Sequence, residues 1–233
     1  MKDKENFMVS YFVNKWGEKE MKVFKVNDYE SNEIMGWEMT EKEIESFTSK
    51  DWTDFCCGDI ELGEDFMREF SDKIDWVEVS KYQVLSESFI REFCDKVYWL
   101  NISRFQTLSE GFIREFCDKV LWVDICCCQS LSEEFIREFI DKIDWPSICW
   151  NQALSEGFIR EFCDKVYWPN ISCFQTLSEE LVLEFYNKID WRLMKKNWGG
   201  KEISKKIFGK MNKEQQLYMI MNYREMFNNR VVK

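Results

Sequence analysis

Leucine and tryptophan recur along this chain at a fixed interval. Two parallel series, each with a spacing of 23 residues, are Leu62, Leu85, Leu108, Leu131, Leu154 and Leu177, and Trp76, Trp99, Trp122, Trp145, Trp168 and Trp191. The segment from Met39 to Trp52 is an earlier, degraded copy that is one residue shorter inside. Self-similarity at such a period is typical of stacked-repeat proteins, so the pattern predicts about seven repeats from Met39 to about Trp198.

The first half of a typical repeat has the pattern of an amphipathic helix. Its apolar residues fall on one helical stripe: Phe89, Ile90, Phe93 and Val97. Ser86 precedes them as a natural N-cap. Glu87 with Arg91, and Glu92 with Lys96, are acid-before-base pairs four residues apart, which support a helix. We therefore predict a charged, well-specified first helix in each repeat.

The second half of the repeat predicts a shorter helix. Trp99, Ile102 and Gln106 are spaced three and four residues apart, which is not the alternation of a strand. Pro146 and Pro169 directly follow the tryptophan in two repeats, a position that suits the first turn of a helix and would break a central strand. The predicted class is thus mainly all-α, a helical-repeat solenoid. The alternative is a leucine-rich-repeat-like α/β horseshoe, because the period lies in that family's range.

The segments that flank the repeats are predicted to act as caps. Residues 1–38 form an N-terminal cap, with a strand pair around Trp16, Gly17 and Glu18. Residues 39–198 form the solenoid, and residues 199–233 form a basic C-terminal cap or tail with a helix from about 212 to 227. Solenoids need such caps because their end repeats have one unpaired face.

Charge and cysteine content bear on the location of the chain. Its net charge is −11, yet residues 192–233 hold 11 Lys and Arg against 3 Asp and Glu. No apolar run is long enough to span a bilayer, and the charged start does not have the pattern of a signal peptide. These features predict a cytoplasmic protein whose ten cysteines are free thiols.

The sequence contains little that points to catalysis or to a cofactor. There is no His, no Gly-rich phosphate loop and no nucleophile elbow. Cys126, Cys127 and Cys128 are contiguous, which suits a tetrahedral metal site poorly, and cysteine also packs as a small apolar residue. We therefore predict a non-enzymatic chain without metal or cofactor. The tryptophans are predicted to be core residues, so that Trp122→Ala should cost about 3–5 kcal/mol.

Positions that differ between repeats are the candidate partner-binding sites, because the packing of the repeat does not fix them. They cluster in the second half of the repeat, and aromatic and Arg side chains are enriched among them, as at interfaces. The alternative is that they are variable packing positions. The predicted partner-binding residues are Lys81, Tyr82, Arg104, Phe105, Trp150, Asn151 and Phe174.

The repeat that begins at Leu131 as Leu-Ser-Glu-Glu-Phe-Ile-Arg-Glu-Phe and continues to Trp145 resembles the short tandem repeats in proteins of large DNA viruses and phages. The resemblance covers about residues 39–198 and suggests a viral or phage origin, with no activity attached. The leading hypothesis is a protein-binding scaffold that acts as an adaptor or inhibitor of a host protein. The alternative is an acidic, anti-CRISPR-like decoy of a nucleic-acid-binding defence enzyme. Direct nucleic-acid binding could use only the basic tail at 192–233.

Overall fold

The computed structural model describes residues 6–13, 19–26, 36–40, 44–57, 60–194 and 205–222. The chain divides into two compact units, Met1–Leu121 (unit 1) and Trp122–Lys233 (unit 2). This boundary falls inside the repeat array and coincides with neither end of the predicted solenoid segment.

Short helices are the commonest regular elements among the described residues of both units. Those of unit 1 are α1 (Ser49–Cys57), α2 (Glu64–Glu69), α3 (Trp76–Tyr82), α4 (Glu87–Glu92), α5 (Trp99–Phe105) and α6 (Glu110–Glu115). Those of unit 2 are α7 (Trp122–Cys128), α8 (Glu133–Glu138), α9 (Trp145–Asn151), α10 (Glu156–Glu161), α11 (Trp168–Phe174), α12 (Glu179–Glu184), α13 (Lys205–Lys210) and α14 (Lys213–Asn222). In each unit the repeats form a solenoid-like array in which the second helices of neighbouring repeats pack together. The predicted helical-repeat solenoid is confirmed.

The first helices of the repeats are only six residues long, and from α4 to α12 each is capped by serine, whereas α2 has Gly63 at its cap position. In α4, the hydroxyl oxygen of Ser86 accepts a hydrogen bond from the backbone N–H of Phe89 at 3.1 Å. The helix ends at Glu92, because Phe93 has left helical geometry with φ −111° and ψ 29°. Val97 is buried as predicted but lies in the following turn. The predicted helical stripe was therefore too long by about one turn.

The second helix begins at the repeated tryptophan and ends just before a repeated glutamine. Asp144 caps α9, its carboxylate accepting from the N–H of Ser147 at 3.0 Å, and Pro146 occupies the first turn of the helix. The equivalent segments α3, α5, α7 and α11 are helical as well. This excludes the horseshoe alternative, in which these segments would be strands.

The core consists chiefly of a pair of adjacent apolar residues in each first helix, Phe-Ile in α4, α6, α8 and α10, and of one isoleucine or valine in each second helix from α3 to α11. Phe89 and Ile90 are completely buried, and so are their counterparts Phe135 and Ile136 in unit 2. The tryptophans from Trp76 to Trp168 are only half-buried, which corrects the prediction that the whole ladder is core. Each covers the edge of the core and contacts the next repeat.

The contacts of Trp122 show how the tryptophans join repeats. Its ring centroid lies 4.9 Å from that of Phe139 and 6.1 Å from that of Phe135, both in the following repeat. In unit 1, Trp99 makes the same kind of contact with Phe116 at 5.0 Å. The Trp99 indole N–H also donates to the carbonyl oxygen of Cys94 at 2.9 Å. These residues bind repeats together although their outer edges remain exposed.

A ladder of buried glutamines forms a second link between repeats. The side-chain oxygen of Gln106 accepts from the N–H of Leu85 at 3.0 Å, and its amide donates to the carbonyls of Ser80 and Gln83. Gln175 repeats this arrangement in unit 2 with Leu154 at 3.0 Å. Each glutamine thus satisfies three buried backbone groups that no regular helix or sheet would pair.

Unit 1 begins with a four-stranded sheet in the order β3-β2-β1-β4. Strands β1 (Asn6–Val13) and β2 (Lys19–Val26) pair antiparallel, which confirms the predicted strand pair, although Trp16, Gly17 and Glu18 lie outside the described residues. Strand β3 (Gly36–Thr40) pairs antiparallel with β2, and β4 (Ile60–Glu61) pairs parallel with β1.

The two ends of the predicted array differ from its middle. Met39, at the predicted start of the first repeat, lies in strand β3 and not before a helix. At the other end, α14 confirms the predicted tail helix as far as Asn222, and residues 223–227 lie outside the described part. Within the described residues, no helix is long and apolar enough to cross a membrane.

Candidate partner-binding surface

The predicted binding residues occupy the last two positions of the second helices, which we call the tips. In unit 1 the tip of α3 carries Lys81 and Tyr82, and the tip of α5 carries Arg104 and Phe105. Tyr82 and Phe105 are each 48% exposed, well above the exposure of the core aromatics. Val79 and Ile102, one turn earlier in the same helices, are completely buried.

The unit 1 tips form one connected cluster of cations and aromatic rings. The ammonium nitrogen of Lys81 lies 4.5 Å from the ring centroid of Tyr82 and 5.9 Å from that of Phe105. It also donates a hydrogen bond to the Tyr82 hydroxyl at 2.8 Å, which raises the pKa of Lys81. The guanidinium of Arg104 lies 5.9 Å from the ring centroid of Phe105. The cluster is therefore held in place by cation–π contacts.

The unit 2 tips carry an uncharged aromatic pair. Trp150, at the tip of α9, is 57% exposed and stacks on Phe174 at the tip of α11, with ring centroids 4.5 Å apart and planes 21° apart. Beside the pair lies a groove of about 320 Å³, which Asn151, Ala153 and Thr176 also line. An exposed, stacked aromatic pair next to an uncharged groove is a surface that suits apolar side chains of a partner.

The tips contact one another from repeat to repeat in a regular way. The first tip residue touches the second tip residue 24 positions later, as Lys81 does with Phe105 and Trp150 with Phe174. The amide of Asn151 likewise lies 3.6 Å from the sulfur of Cys127. Cys173, also a first tip residue, is buried. The variable positions therefore contribute to packing between repeats and expose aromatic surface at the same time.

Two groups of exposed residues were missed in the sequence. Val77 and Val123 lie at the starts of second helices, and Tyr98 and Tyr167 lie just before them, all exposed. Their fixed position within the repeat was a signal that could have identified them. They extend the apolar surface of the second helices beyond the tips.

A cavity of about 590 Å³ lies in unit 2 between the last repeat and α14. Its lining includes Pro169, Trp191, Arg192, Leu217 and Tyr218. No repeat-based signal could have predicted this cavity, because α14 lies outside the repeats.

The first helices form a charged surface whose members pair across repeats. Arg91 contacts Glu87 of its own helix at 3.5 Å and Glu115 of the next repeat at 2.7 Å. The predicted pair of Glu92 with Lys96 is wrong, because the helix ends at Glu92 before the two can share a face. Lys96 pairs instead with Asp72 of the preceding repeat at 2.6 Å. This surface is nearly uniform, and its cations are paired with carboxylates of the same surface.

The cysteines fall into buried and exposed sets. Burial raises the pKa of the Cys126 and Cys149 thiols to about 11 and that of Cys56 to about 12. Such thiols stay protonated and unreactive at neutral pH. Cys127 and Cys128 are exposed. In the described part of the chain, no three Cys, Asp or Glu side chains are grouped so as to hold a metal ion.

Comparison of the chain with known protein families, curated proteins and solved structures finds no match. The resemblance to viral and phage repeats thus stays a prediction from the sequence.

Proposed function

We propose that this chain is a non-enzymatic, protein-binding repeat scaffold that contacts its partner through the tips of the second helices. One observation carries the proposal: side chains at the tips differ widely between repeats and expose large aromatic surface, whereas the core positions vary only among a few small or apolar residue types. Aromatic and arginine side chains dominate the energetics of protein interfaces. This surface suits a partner that the chain recruits as an adaptor and equally one that it blocks as an inhibitor.

The charged surface supports the acidic-decoy alternative less well. A decoy must offer carboxylates that a basic groove can take up. Here Glu115 and Glu161 already accept from Arg91 and Arg137 of the preceding repeats, at 2.7 Å and 2.9 Å. Exposed pairs of this kind contribute about 0–1 kcal/mol each and offer little discrimination. The second helices provide the more selective surface.

Site-specific photocrosslinking in the cell of origin tests the proposal. A photoreactive phenylalanine analogue replaces Phe105 in unit 1 or Trp150 in unit 2, where an aromatic side chain is already exposed. Control sites are Ser88 in α4 and Glu134 in α8, exposed residues of the charged surface in the same units. We expect protein adducts of discrete mass from the tip sites, and few or none from the controls. Adducts of equal yield from both sets, or none from the tips, would contradict the proposal.

A further inference from the structure

Lys81, Tyr82, Arg104 and Phe105, the tips of α3 and α5, are here called the unit 1 patch. We infer that this patch binds a protein segment in which acidic residues are interspersed with aromatic or aliphatic ones. The inference rests on the proposed function and specifies the chemistry of the partner.

Lys81 has unused hydrogen-bonding capacity. Of its three N–H groups, one donates to the Tyr82 hydroxyl at 2.8 Å. Within the part of the chain that the structure describes, no carboxylate lies within ion-pairing distance of its ammonium group. Arg91 and Lys96, on the charged surface of the same unit, both have carboxylate partners, at 2.7 Å and 2.6 Å. Lys81 is therefore a fixed cation that can donate to a carboxylate of another chain.

The sign of the charge changes between the two kinds of helix in unit 1. The first helices α2, α4 and α6 together hold seven acidic residues against three arginines. The second helices α3 and α5 hold one acidic residue, Glu78, against the cations Lys81 and Arg104. An acidic segment is thus repelled by the first helices and attracted to the patch, which gives it a preferred position on an otherwise acidic chain.

The apolar part of the patch favours a partner that has aromatic or aliphatic side chains as well as negative charge. Tyr82 and Phe105 expose about half of their surface, and Val77 at the start of α3 and Val84 after its end are exposed too. Covering these side chains with aromatic or aliphatic groups removes apolar area from water and strengthens the neighbouring cation–carboxylate contacts. A polyanion without apolar side chains makes only the second kind of contact.

Peptide binding to the full chain, measured by fluorescence anisotropy, tests the inference. The probe is a short labelled peptide in which Asp alternates with Phe and Leu. One comparison peptide has Lys in place of every Asp, and another has Ser in place of every Phe and Leu. We expect the probe to bind at least about tenfold more tightly than either, and more weakly as salt is added.

Charge-reversal variants place the binding site on the chain. The double variant K81E/R104E should weaken binding of the probe by at least about tenfold. The control K50E/K73E makes the same change in net charge at exposed lysines of unit 1 away from the patch, and should change affinity by less than about twofold. Thermal melting of both variants checks that the fold is kept.

Three outcomes overturn the inference: no binding of the probe, equal binding of either comparison peptide, or equal loss in K50E/K73E. The proposed function is judged separately. If Phe105 crosslinks to a partner while the acidic probe does not bind, only the chemistry assigned to the partner is wrong. If neither occurs, both proposals are wrong for unit 1.

Discussion

A single buried position in the second helix shows how individual residues hold the repeats together. It is serine in Ser80, Ser103 and Ser172 and cysteine in Cys126 and Cys149, all buried. The hydroxyl of Ser103 accepts from the N–H of Leu121 at 2.9 Å, and the sulfur of Cys149 accepts from the N–H of Tyr167 at 3.3 Å. Cysteine here is a small hydrogen-bond acceptor in the core, which explains why the two residue types interchange.

The glutamine position tolerates fewer residue types than the serine or cysteine position, because one glutamine side chain pairs three buried backbone groups. Gln106→Ala should therefore destabilise the chain by about 2–4 kcal/mol, since it leaves those groups without partners. Thr107→Ala, at the exposed neighbouring position, should change the free energy of unfolding by less than about 0.5 kcal/mol. Urea denaturation measures both. Equal stability of the two variants would show that Gln106 does not hold the repeats together.

Helices of six or seven residues are too short to be stable alone, so their stability comes from the neighbouring repeats. In the repeats from α2 to α11, the first helix supplies a fully buried pair and the second supplies a half-buried tryptophan. Truncation of the core pair and truncation of the tryptophan should therefore lower the free energy of unfolding by different amounts.

Trp122→Ala should cost about 2–3 kcal/mol, less than its size suggests, because the ring is only half-buried. Phe135→Ala, which empties a completely buried position against the same tryptophan, should cost about 3–5 kcal/mol. Chemical denaturation of the two variants under one set of conditions gives the comparison. A larger loss for Trp122 than for Phe135 would contradict the burial seen here.

At this scale the sequence predicts helices well and contacts between repeats poorly. Ser86 and Pro146 indicate helix starts because their chemistry is local. The end of α4 at Glu92 could not be predicted, because the apolar period continues to Val97 through a turn. The pairing of each tip with a residue 24 positions later depends on how repeats stack, and nothing in a single repeat encodes it.

For the whole molecule, the shifted pKa values predict that the free energy of unfolding decreases both as pH falls and as pH rises away from neutrality. Burial opposes ionisation of Glu87, but hydrogen bonds from Ser109 and the charge of Arg91 lower its pKa overall. A hydrogen bond from Lys119 lowers the pKa of Asp95. Groups with lowered pKa values stabilise the folded state above their unfolded pKa, so stability should decline as pH falls below about 4.

The loss of stability at alkaline pH arises from the buried thiols, whose pKa values are raised and not lowered. The pKa of a buried cysteine is raised, so its contribution is complete below the unfolded pKa of about 8.5 and is lost as pH rises through about 11. The triple variant C56S/C126S/C149S should abolish most of that alkaline decline and leave the acid one unchanged. Urea denaturation over a pH series measures the acid and the alkaline decline. An alkaline decline in the variant as large as in the native chain would show that the three thiols do not cause it.

The central claim is that the tips, and not the charged first helices, bind the partner. The dissociation constant for the crosslinked partner tests it most directly, measured for the native chain, for F105A/W150A and for R91E/R114E. F105A/W150A should weaken binding by at least about tenfold without unfolding the protein, because it removes two exposed aromatic contacts. R91E/R114E should matter less. If the charge reversals abolish binding and the aromatic truncations leave it intact, the binding surface is the charged one.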